Sequence, residues 1–590
     1  MARNSDSNSK DKADGYVGLQ EADVEMTSAP ARPYQVKSPL LRECMAEFIG
    51  TMVLILFGDG VVAQVVLGEG TKGEYININL CWGLGVLFGI HASGGVSGAH
   101  LNPAVTTTLA IFGRMEWRKV PWYILAQVLG AFVAAFIVWA IYNPMFNVID
   151  PEKNSTQGVF ATYPFSSDVP VGTCFLTEVV GTALLLGGIF AIGDEFNKPA
   201  SPYTQPGAVA LLVVAIGMAF GMNSGYAINP ARDFGPRLFS LCAGWGSKVF
   251  TARDHYFWVP IVGPILGGAI GGGVYVGLVE HHHPLAVSGS CDWSLLQHFS
   301  MARASDDKTE NEYIGLEEAD EVMTSAPARP YQVKSPLLRE CMAEFIGTMV
   351  LILFGDGVVA QVVLGEGTKG EYININLCWG LGVLFGIHAS GGVSGAHLNP
   401  AVTTTLAIFG RMEWRKVPWY ILAQVLGAFV AAFIVWAIYN PMFNVIDPEK
   451  NSTQGVFATY PFSSDVPVGT CFLTEVVGTA LLLGGIFAIG DEFNKPASPY
   501  TQPGAVALLV VAIGMAFGMN SGYAINPARD FGPRLFSLCA GWGSKVFTAR
   551  DHYFWVPIVG PILGGAIGGG VYVGLVEHHH PRDYKHPLDN

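Results

Sequence analysis

The chain has 590 residues, of which 51% are hydrophobic and only 14% are charged, and its mean hydropathy is +0.38. So apolar a composition, with 72 glycines, excludes an ordinary soluble protein and indicates a membrane protein with several spans. The formal net charge of -14 excludes a nucleic-acid-binding protein. The sequence contains no nucleophile with an adjacent base, no phosphate loop and no metal-ligand cluster, so we expect neither enzyme activity nor a cofactor.

The chain contains nearly the same sequence twice. Residues 26–284 recur at 323–581 without substitution, so each functional residue has a counterpart in the other copy. We predict two membrane domains, joined and flanked by polar segments. The boundaries are 1–38 for a disordered cytoplasmic N-terminal tail, 39–284 for the first domain, 285–335 for a linker with the second polar tail, 336–581 for the second domain, and 582–590 for a C-terminal tail.

Each copy contains six apolar segments long enough to cross the ~30 Å hydrocarbon core of a bilayer. In the first copy they lie at 43–67, 76–95, 120–142, 171–194, 205–224 and 256–279. Lys and Arg are concentrated before the first and third segments, which predicts that both termini are cytoplasmic. Two further apolar pieces, 102–112 and 229–240, are too short to span the bilayer alone.

Each short piece begins with the tripeptide Asn-Pro-Ala. Asn is a good N-cap and Pro suits the first helical position, so each tripeptide predicts a half-helix that starts inside the membrane and lines a cavity. Three predicted spans separate the two tripeptides of a copy, so its two halves are inverted relative to each other. The four tripeptides comprise Asn102, Pro103, Ala104, Asn229, Pro230, Ala231, Asn399, Pro400, Ala401, Asn526, Pro527 and Ala528.

The tripeptides lie within the sequences SGAHLNPAV at 97–105 and GYAINPARDFGP at 225–236. These resemble the two signature loops of the aquaporin family, and the resemblance covers nearly all of each copy. It implies an all-α polytopic membrane protein of two tandem aquaporin-type folds, each with six transmembrane helices and two re-entrant half-helices in an inverted repeat. The positive ends of two half-helices that meet at mid-membrane would repel cations and let neutral solutes pass.

An arginine at membrane depth is costly unless it faces water or polar groups, so we expect Arg232 at the narrowest part of a pore. In the family, three further positions complete this filter, and here they are Trp82, Gly217 and Tyr226. The set resembles the aquaglyceroporin branch, in which we expect the glycine to widen the opening and the aromatic rings to face a carbon backbone. Alternatively, the aromatic residues are interfacial or core residues. The counterparts in the second copy are Trp379, Gly514, Tyr523 and Arg529.

Glu47 and Glu178 are acidic residues within predicted spans. Their symmetric positions and the resemblance imply that they accept hydrogen bonds from the re-entrant loops, and a proton relay is the alternative. We assign His100 and Asp233 to the same loop scaffold. The counterparts in the second copy are Glu344, Glu475, His397 and Asp530. The histidine tract 281–283 is expected to be a solvated tail, with metal binding as the alternative.

The sequence therefore predicts a passive channel for glycerol, other small neutral solutes and water, with one pore in each copy. The alternatives are a water-selective aquaporin, a secondary transporter with twelve spans and a closed scaffolding protein of the same fold. Family members assemble as tetramers of one-pore units, so two of these chains would supply four pores in a lipid bilayer. We expect the plasma membrane, with the vacuolar membrane as the alternative, and the sequons at Asn154 and Asn451 would lie on the outer side.

Overall fold

The structure is a computed structural model that describes residues 36–69, 71–283, 332–492 and 497–579. Most of the predicted tails and linker lies outside these residues. All elements of the described residues are helices, and twelve of these helices are long and apolar enough to cross a membrane. The prediction of an all-α fold with six spans in each copy is confirmed.

The helices follow the same order in both copies. Those of the first copy are α1 (Pro39–Leu67), α2 (Tyr75–Ser97), α3 (Pro103–Ile111), α4 (Val120–Ile149), α5 (Val171–Gly193), α6 (Gln205–Ser224), α7 (Pro230–Ser240), α8 (Lys248–His255) and α9 (Val259–Leu278). Those of the second are α10 (Pro336–Leu364), α11 (Tyr372–Ser394), α12 (Pro400–Ile408), α13 (Val417–Ile446), α14 (Val468–Gly490), α15 (Gln502–Ser521), α16 (Pro527–Ser537), α17 (Lys545–His552) and α18 (Val556–Leu575). The half-helices are α3, α7, α12 and α16.

The half-helices begin at the Asn-Pro-Ala tripeptides, as their sequence predicts. The side chain of Asn102 is the N-cap of α3 and accepts a hydrogen bond from the backbone N–H of Ala104 at 2.8 Å. Asn229 caps α7 in the same way and accepts from Ala231 at 3.0 Å. Because Pro follows each cap, the first helical residue has no N–H that would need a partner.

The third span is longer than its predicted range of 120–142, because α4 continues through Pro144 to Ile149. Proline removes one hydrogen bond from a helix but does not end it when tertiary contacts support the next turn. Here Phe146 is buried, and its ring centroid lies 5.5 Å from that of Phe160 and 5.4 Å from that of Trp245. This packing stabilises the turn beyond the proline.

Glycines allow α9 to lie directly against α5. A Cβ atom at Gly271 would lie 2.0 Å from the carbonyl oxygen of Ala183, and one at Gly267 would lie 2.3 Å from that of Val179. Close approach through small residues is the usual way in which membrane helices gain packing energy. Helices α5 and α9, which both belong to the second half of the copy, are therefore held together by backbone contact.

The histidine tract after α9 is not a solvated tail, so that prediction was wrong. His282 and His283 are buried, and Nε2 of His283 lies 2.6 Å from Oδ2 of Asp194 at the end of α5. Tyr275 donates a hydrogen bond to the same carboxylate at 2.8 Å. The partner lies 89 residues earlier in the sequence, so no local pattern could have indicated it.

The two copies contact each other through different faces. Helices α10 and α11 of the second copy pack against α5 and α6 of the first. As a result, 78% of the residues in an apolar 18-residue stretch of α10 are buried, against 39% in α1, which has the same sequence. The same figures, 78% and 39%, apply to α6 and its counterpart α15. The first copy therefore leaves α1 and α2 uncovered, and the second leaves α14 and α15.

Candidate functional site

The two Asn-Pro-Ala loops of each copy are joined by reciprocal hydrogen bonds. Nδ2 of Asn102 donates to the carbonyl oxygen of Ile228 at 2.8 Å, and Nδ2 of Asn229 donates to that of Leu101 at 2.8 Å. Asn399 and Asn526 make the same bonds in the second copy. The N-termini of the two half-helices therefore lie beside each other. Each amide nitrogen carries a second N–H, which remains to donate to a solute.

Glu47 holds the first loop from α1. Its carboxylate accepts from the backbone N–H of His100 at 2.9 Å, from that of Leu101 at 2.8 Å and from the hydroxyl of Ser97 at 2.6 Å. The glutamate is fully buried, so these bonds satisfy a carboxylate that would otherwise be very costly inside the protein. The geometry is that of a structural acceptor.

Glu178 holds the second loop from α5 in the same manner. It accepts from the backbone N–H groups of Ala227 at 2.8 Å and Ile228 at 2.7 Å, and from the hydroxyl of Ser224 at 2.7 Å. The loop backbone is strained, because Tyr226 and Ile228 have φ values of 38° and 43°. Such left-handed conformations persist in non-glycine residues only when the surroundings impose them, and here the glutamate does so.

Other polar residues complete the scaffold. His100 lies 3.1 Å from the hydroxyl of Thr106, and Gln127 on α4 donates to both Thr106 at 3.0 Å and Glu47 at 2.7 Å. Sequence analysis did not identify Gln127, Ser97 or Ser224. The two serines could have been found, because each stands at the same distance before its Asn-Pro-Ala. The only indication for Gln127 in the sequence is that it is a polar residue inside an apolar span.

Asp233 ties α7 to the segment between α4 and α5. Its carboxylate accepts from the backbone N–H and the hydroxyl of Thr162, both at 2.7 Å, and from Nε of Arg237 at 2.8 Å. Arg237 in turn donates to the carbonyl oxygens of Thr162 at 2.8 Å and Val249 at 2.5 Å. Asp233 and Arg237 are both fully buried. This network fixes the position of α7, which carries Arg232.

A cavity of about 240 Å³ adjoins these loops in the first copy, and one of about 210 Å³ in the second. About half of the lining consists of Leu, Ile or Val residues. Among its polar members are Asn102, Asn229 and Arg232. A channel wall of this kind is largely apolar, with a few polar groups at defined places, and offers hydrogen bonds to only part of a solute's surface.

The predicted filter residues lie together at this cavity. The guanidinium carbon of Arg232 lies 4.2 Å from the centroid of the Trp82 ring, and Tyr226 lines the same cavity. Over the residues that the structure describes, Nη1 of Arg232 has no hydrogen-bond partner. Nη1 is itself buried and Arg232 is only 7% exposed, so the guanidinium is held in position at the edge of the cavity.

Gly217 lies against two side chains of the first copy. A Cβ atom there would lie 2.3 Å from Oδ1 of Asn79 and 2.7 Å from the ring of Tyr226. The space beside the glycine is therefore filled by these two side chains. The missing side chain of Gly217 lets the ring of Tyr226 lie close against α6, so the glycine affects the width of the opening through the position of that ring.

Asp59 on α1 is a further charged residue of the site. Its Oδ1 lies 4.0 Å from Nη1 of Arg232, and its side chain is fully buried. No hydrogen bond to the Asp59 carboxylate is found within the described part of the chain. The carboxylate therefore offsets the charge of Arg232, and the sequence alone did not assign Asp59 to the site.

The second copy repeats this geometry. Glu344 binds the first loop through His397 and Leu398, and Glu475 binds the second through Ala524 and Ile525. The guanidinium carbon of Arg529 lies 4.1 Å from the ring centroid of Trp379. The contacts of Gly217, Tyr226 and Asp233 are repeated in the second copy by Gly514, Tyr523 and Asp530.

Comparison with known proteins finds the same signature in both copies. The family model described as major intrinsic protein matches residues 35–275 and 332–572. Aquaporin-9 of Homo sapiens is 44% identical over 255 residues, which cover 42% of this chain and 86% of the relative. Aquaglyceroporin-2 of Rhizophagus irregularis is 47% identical over 244 residues, covering 40% and 77%. The X-ray structure of the aquaglyceroporin from Plasmodium falciparum is 35% identical, with coverage of 41% and 97% and a TM-score of 0.38.

Proposed function

The chain belongs to the major intrinsic protein family, and from this premise we propose that it is a passive channel for glycerol, other small neutral solutes and water. Each copy supplies one pore. The observation that carries the proposal is the grouping of Arg232, Trp82 and Tyr226 at one largely apolar cavity. The names of relatives such as aquaglyceroporin-2 support the assignment of glycerol.

The chemistry of this grouping suits a polyol. Glycerol has hydroxyl groups along one edge and C–H groups along the other, so it loses hydrogen bonds with water when it enters a narrow path. The guanidinium of Arg232, which lines the cavity, and the second N–H groups of Asn102 and Asn229 replace part of these bonds. The rings of Trp82 and Tyr226 contact the carbon side. A cation would lose its hydration shell and meet the positive half-helix ends, so it is excluded.

The first experiment is stopped-flow light scattering on proteoliposomes that contain the full-length chain. Under an inward glycerol gradient we expect rapid reswelling, above that of empty liposomes and independent of any proton or sodium gradient. The variant Gly217→Trp with Gly514→Trp, in which both filters are blocked, is the control. Water flux without glycerol reswelling would indicate a water-selective channel. Glycerol flux that needs an ion gradient would indicate a secondary transporter.

We also propose roles for the residues of the site. Trp82, Gly217, Tyr226 and Arg232 form the filter of the first pore, and the paired Asn residues form its centre. Glu47, Glu178, His100 and Asp233 act as scaffold, which the direct bonds from Glu47 and Glu178 to loop N–H groups support. The counterparts named above act in the second pore. The domain boundaries 39–284 and 336–581 accord with a complete set of these residues in each copy.

Two chains are proposed to form an assembly with four pores. The support comes from the contact between the copies, because α10 and α11 already pack against α5 and α6. The uncovered α1 and α2 have the sequence of α10 and α11, and the uncovered α14 and α15 have that of α5 and α6. A second chain can repeat the same contact at both ends and close a ring. Mass measurement in detergent tests this, and particles of one chain or four would contradict it.

The protein is an integral membrane protein by its family and its twelve apolar helices. We propose the plasma membrane as its location and cytoplasmic termini as its orientation. The orientation rests on the positions of Lys and Arg beside the first and third spans. Antibody access to an N-terminal tag in intact and permeabilised cells tests the orientation, since the proposal requires permeabilisation for staining. The position of the stain, at the cell boundary or at the vacuole, tests the location.

A further inference from the structure

The two cavities have the same lining, residue for residue, with one addition. The second cavity is also lined by Lys198, which belongs to the first copy. Lys198 lies in the connection between α5 and α6, and its Nζ donates to Oε1 of Gln502 at 3.2 Å. Gln502 is the first residue of α15 and lines the second cavity itself. A residue of one copy thus reaches the pore of the other.

The backbone around Lys198 is fastened to α11 of the second copy. The side chain of Asn197 donates to the carbonyl oxygen of His388 at 2.6 Å and accepts from the backbone N–H of Gly392 at 2.6 Å. The carbonyl oxygen of Lys198 also bonds to Nδ1 of His388. Asn197 is buried, so this is an ordered contact. The position of Lys198 at the cavity is therefore imposed by both its neighbours in the chain and α11.

Two glycines make room for this segment. A Cβ atom at Gly391 would lie 2.5 Å from Cγ of Lys198, and one at Gly392 would lie 2.4 Å from Cα of Asn197. In the first copy the corresponding Gly95 has no atom within 4 Å of such a Cβ position. The identical sequence is thus used for a close contact in one copy and left open in the other.

We propose that Lys198 restricts entry to the second pore, so that the first copy forms part of that pore's mouth. The inference rests on the proposed channel function. Lys198 bridges the end of α11 and the start of α15, and a solute must pass its side chain and break or bypass its bond to Gln502. Half-burial also lowers the pKa of the Lys198 amine, as expected for a group withdrawn from bulk water. The ammonium group additionally repels cationic solutes at the mouth.

The test measures glycerol permeability in two single-pore backgrounds. Gly217→Trp leaves only the second pore open, and Gly514→Trp leaves only the first. With the second pore alone, Lys198→Ala is expected to raise glycerol permeability about two- to tenfold, the factor that corresponds to one net hydrogen bond. Lys198→Arg keeps a cationic donor and is expected to leave permeability low. With the first pore alone, Lys198→Ala is expected to change nothing.

Lys495 is the counterpart of Lys198 in sequence and lies outside the described residues, so Lys495→Ala in the second-pore background serves as the matched control. If Gly217→Trp folds poorly, Lys198→Ala in the otherwise unaltered chain should raise total flux at least about 1.3-fold, since only one of two pores gains. Unchanged or reduced flux through the second pore, or an equal rise in both backgrounds, would overturn the inference. Absence of glycerol flux in the unaltered chain would instead overturn the proposed function.

Discussion

Gln361 of the second copy is hydrogen-bonded to the backbone of Gly217 in the first. Its Nε2 donates to the carbonyl oxygen of Gly217 at 3.2 Å, and its Oε1 accepts from the backbone N–H of Met222 at 2.8 Å. Gln64, which has the same place in the first copy, is exposed and donates to the carbonyl oxygen of Lys72 at 3.0 Å. Helix α6, which carries Gly217 of the first filter, is therefore held by the second copy.

This difference predicts unequal effects of one substitution. Gln361→Ala removes two bonds from buried backbone groups and should lower the free energy of unfolding by about 1–3 kcal/mol. Gln64→Ala changes an exposed residue and should alter it by no more than about 0.5 kcal/mol. Thermal unfolding of single-chain particles in detergent measures both. Equal losses for the two variants would contradict the described contact between the copies.

The two-chain assembly can be tested with a matched pair of glycines. Gly392→Leu introduces a side chain against Asn197 within the chain, and overpacking of this kind should destabilise the fold by about 1–3 kcal/mol. Gly95→Leu meets no atom within the chain, so the fold should keep its stability while the contact with a second chain is lost. Native mass spectrometry should then find one chain per particle. Persistent two-chain particles of Gly95→Leu would refute the proposed ring.

The scaffold role of the glutamates predicts loss of one pore at a time. Glu178→Ala removes the acceptor for Ala227, Ile228 and Ser224, so the strained second loop cannot keep its conformation. Glycerol flux should fall by about half, because the second pore has its own scaffold glutamates, and it should vanish when Glu475→Ala is added. Replacement of the exposed Glu195 by Ala is the control. If Glu178→Ala left flux intact but abolished a dependence on pH gradients, the proton-relay alternative would hold.

Gly217 should tolerate no side chain. In Gly217→Ala the new methyl group lies within 2.7 Å of the Tyr226 ring, which must move into the cavity. Glycerol permeability of the first pore should fall more than its water permeability, since the wider solute meets the displaced ring first. The Gly514→Trp background isolates the first pore for stopped-flow measurement. A proportionate fall in both permeabilities would indicate general damage to the fold and not a change in the filter.

Arg232 and Asp59 should show coupled effects. Arg232→Ala leaves a fully buried carboxylate without its cation, which costs about 3–5 kcal/mol of stability. Adding Asp59→Asn removes that charge and should restore most of the loss. In the second copy, Asp356 is the counterpart of Asp59 and lies 3.9 Å from Arg529. Once folding is restored and Arg529→Ala with Asp356→Asn is added, both filters should admit larger polyols or protons. Swelling assays with erythritol and a pH-sensitive dye inside the liposomes measure this, and unchanged selectivity would remove arginine from the filter.

Much of the fold could be predicted because it depends on local properties. The length of apolar segments set the spans, and Asn followed by Pro set the starts of the half-helices, with Asn102 and Asn229 as caps. The symmetric positions of Glu47 and Glu178 indicated their role as acceptors. The continuation of α4 beyond Pro144 and the burial of His283 could not be predicted, because the residues that pack against them are remote in sequence.

The comparison of the two copies separates what the sequence determined from what the tertiary structure decided. Identical residues have identical local propensities, so the sequence by itself determined the helices, the loops and the filter that the copies share. Whatever differs between them arises from position within the chain. Gln361 is buried and Gln64 exposed, and Lys198 lines the second cavity, only because the second copy packs against α5 and α6 of the first. The burial and the contacts of a residue depend on its neighbours in space, which the local sequence around it does not specify.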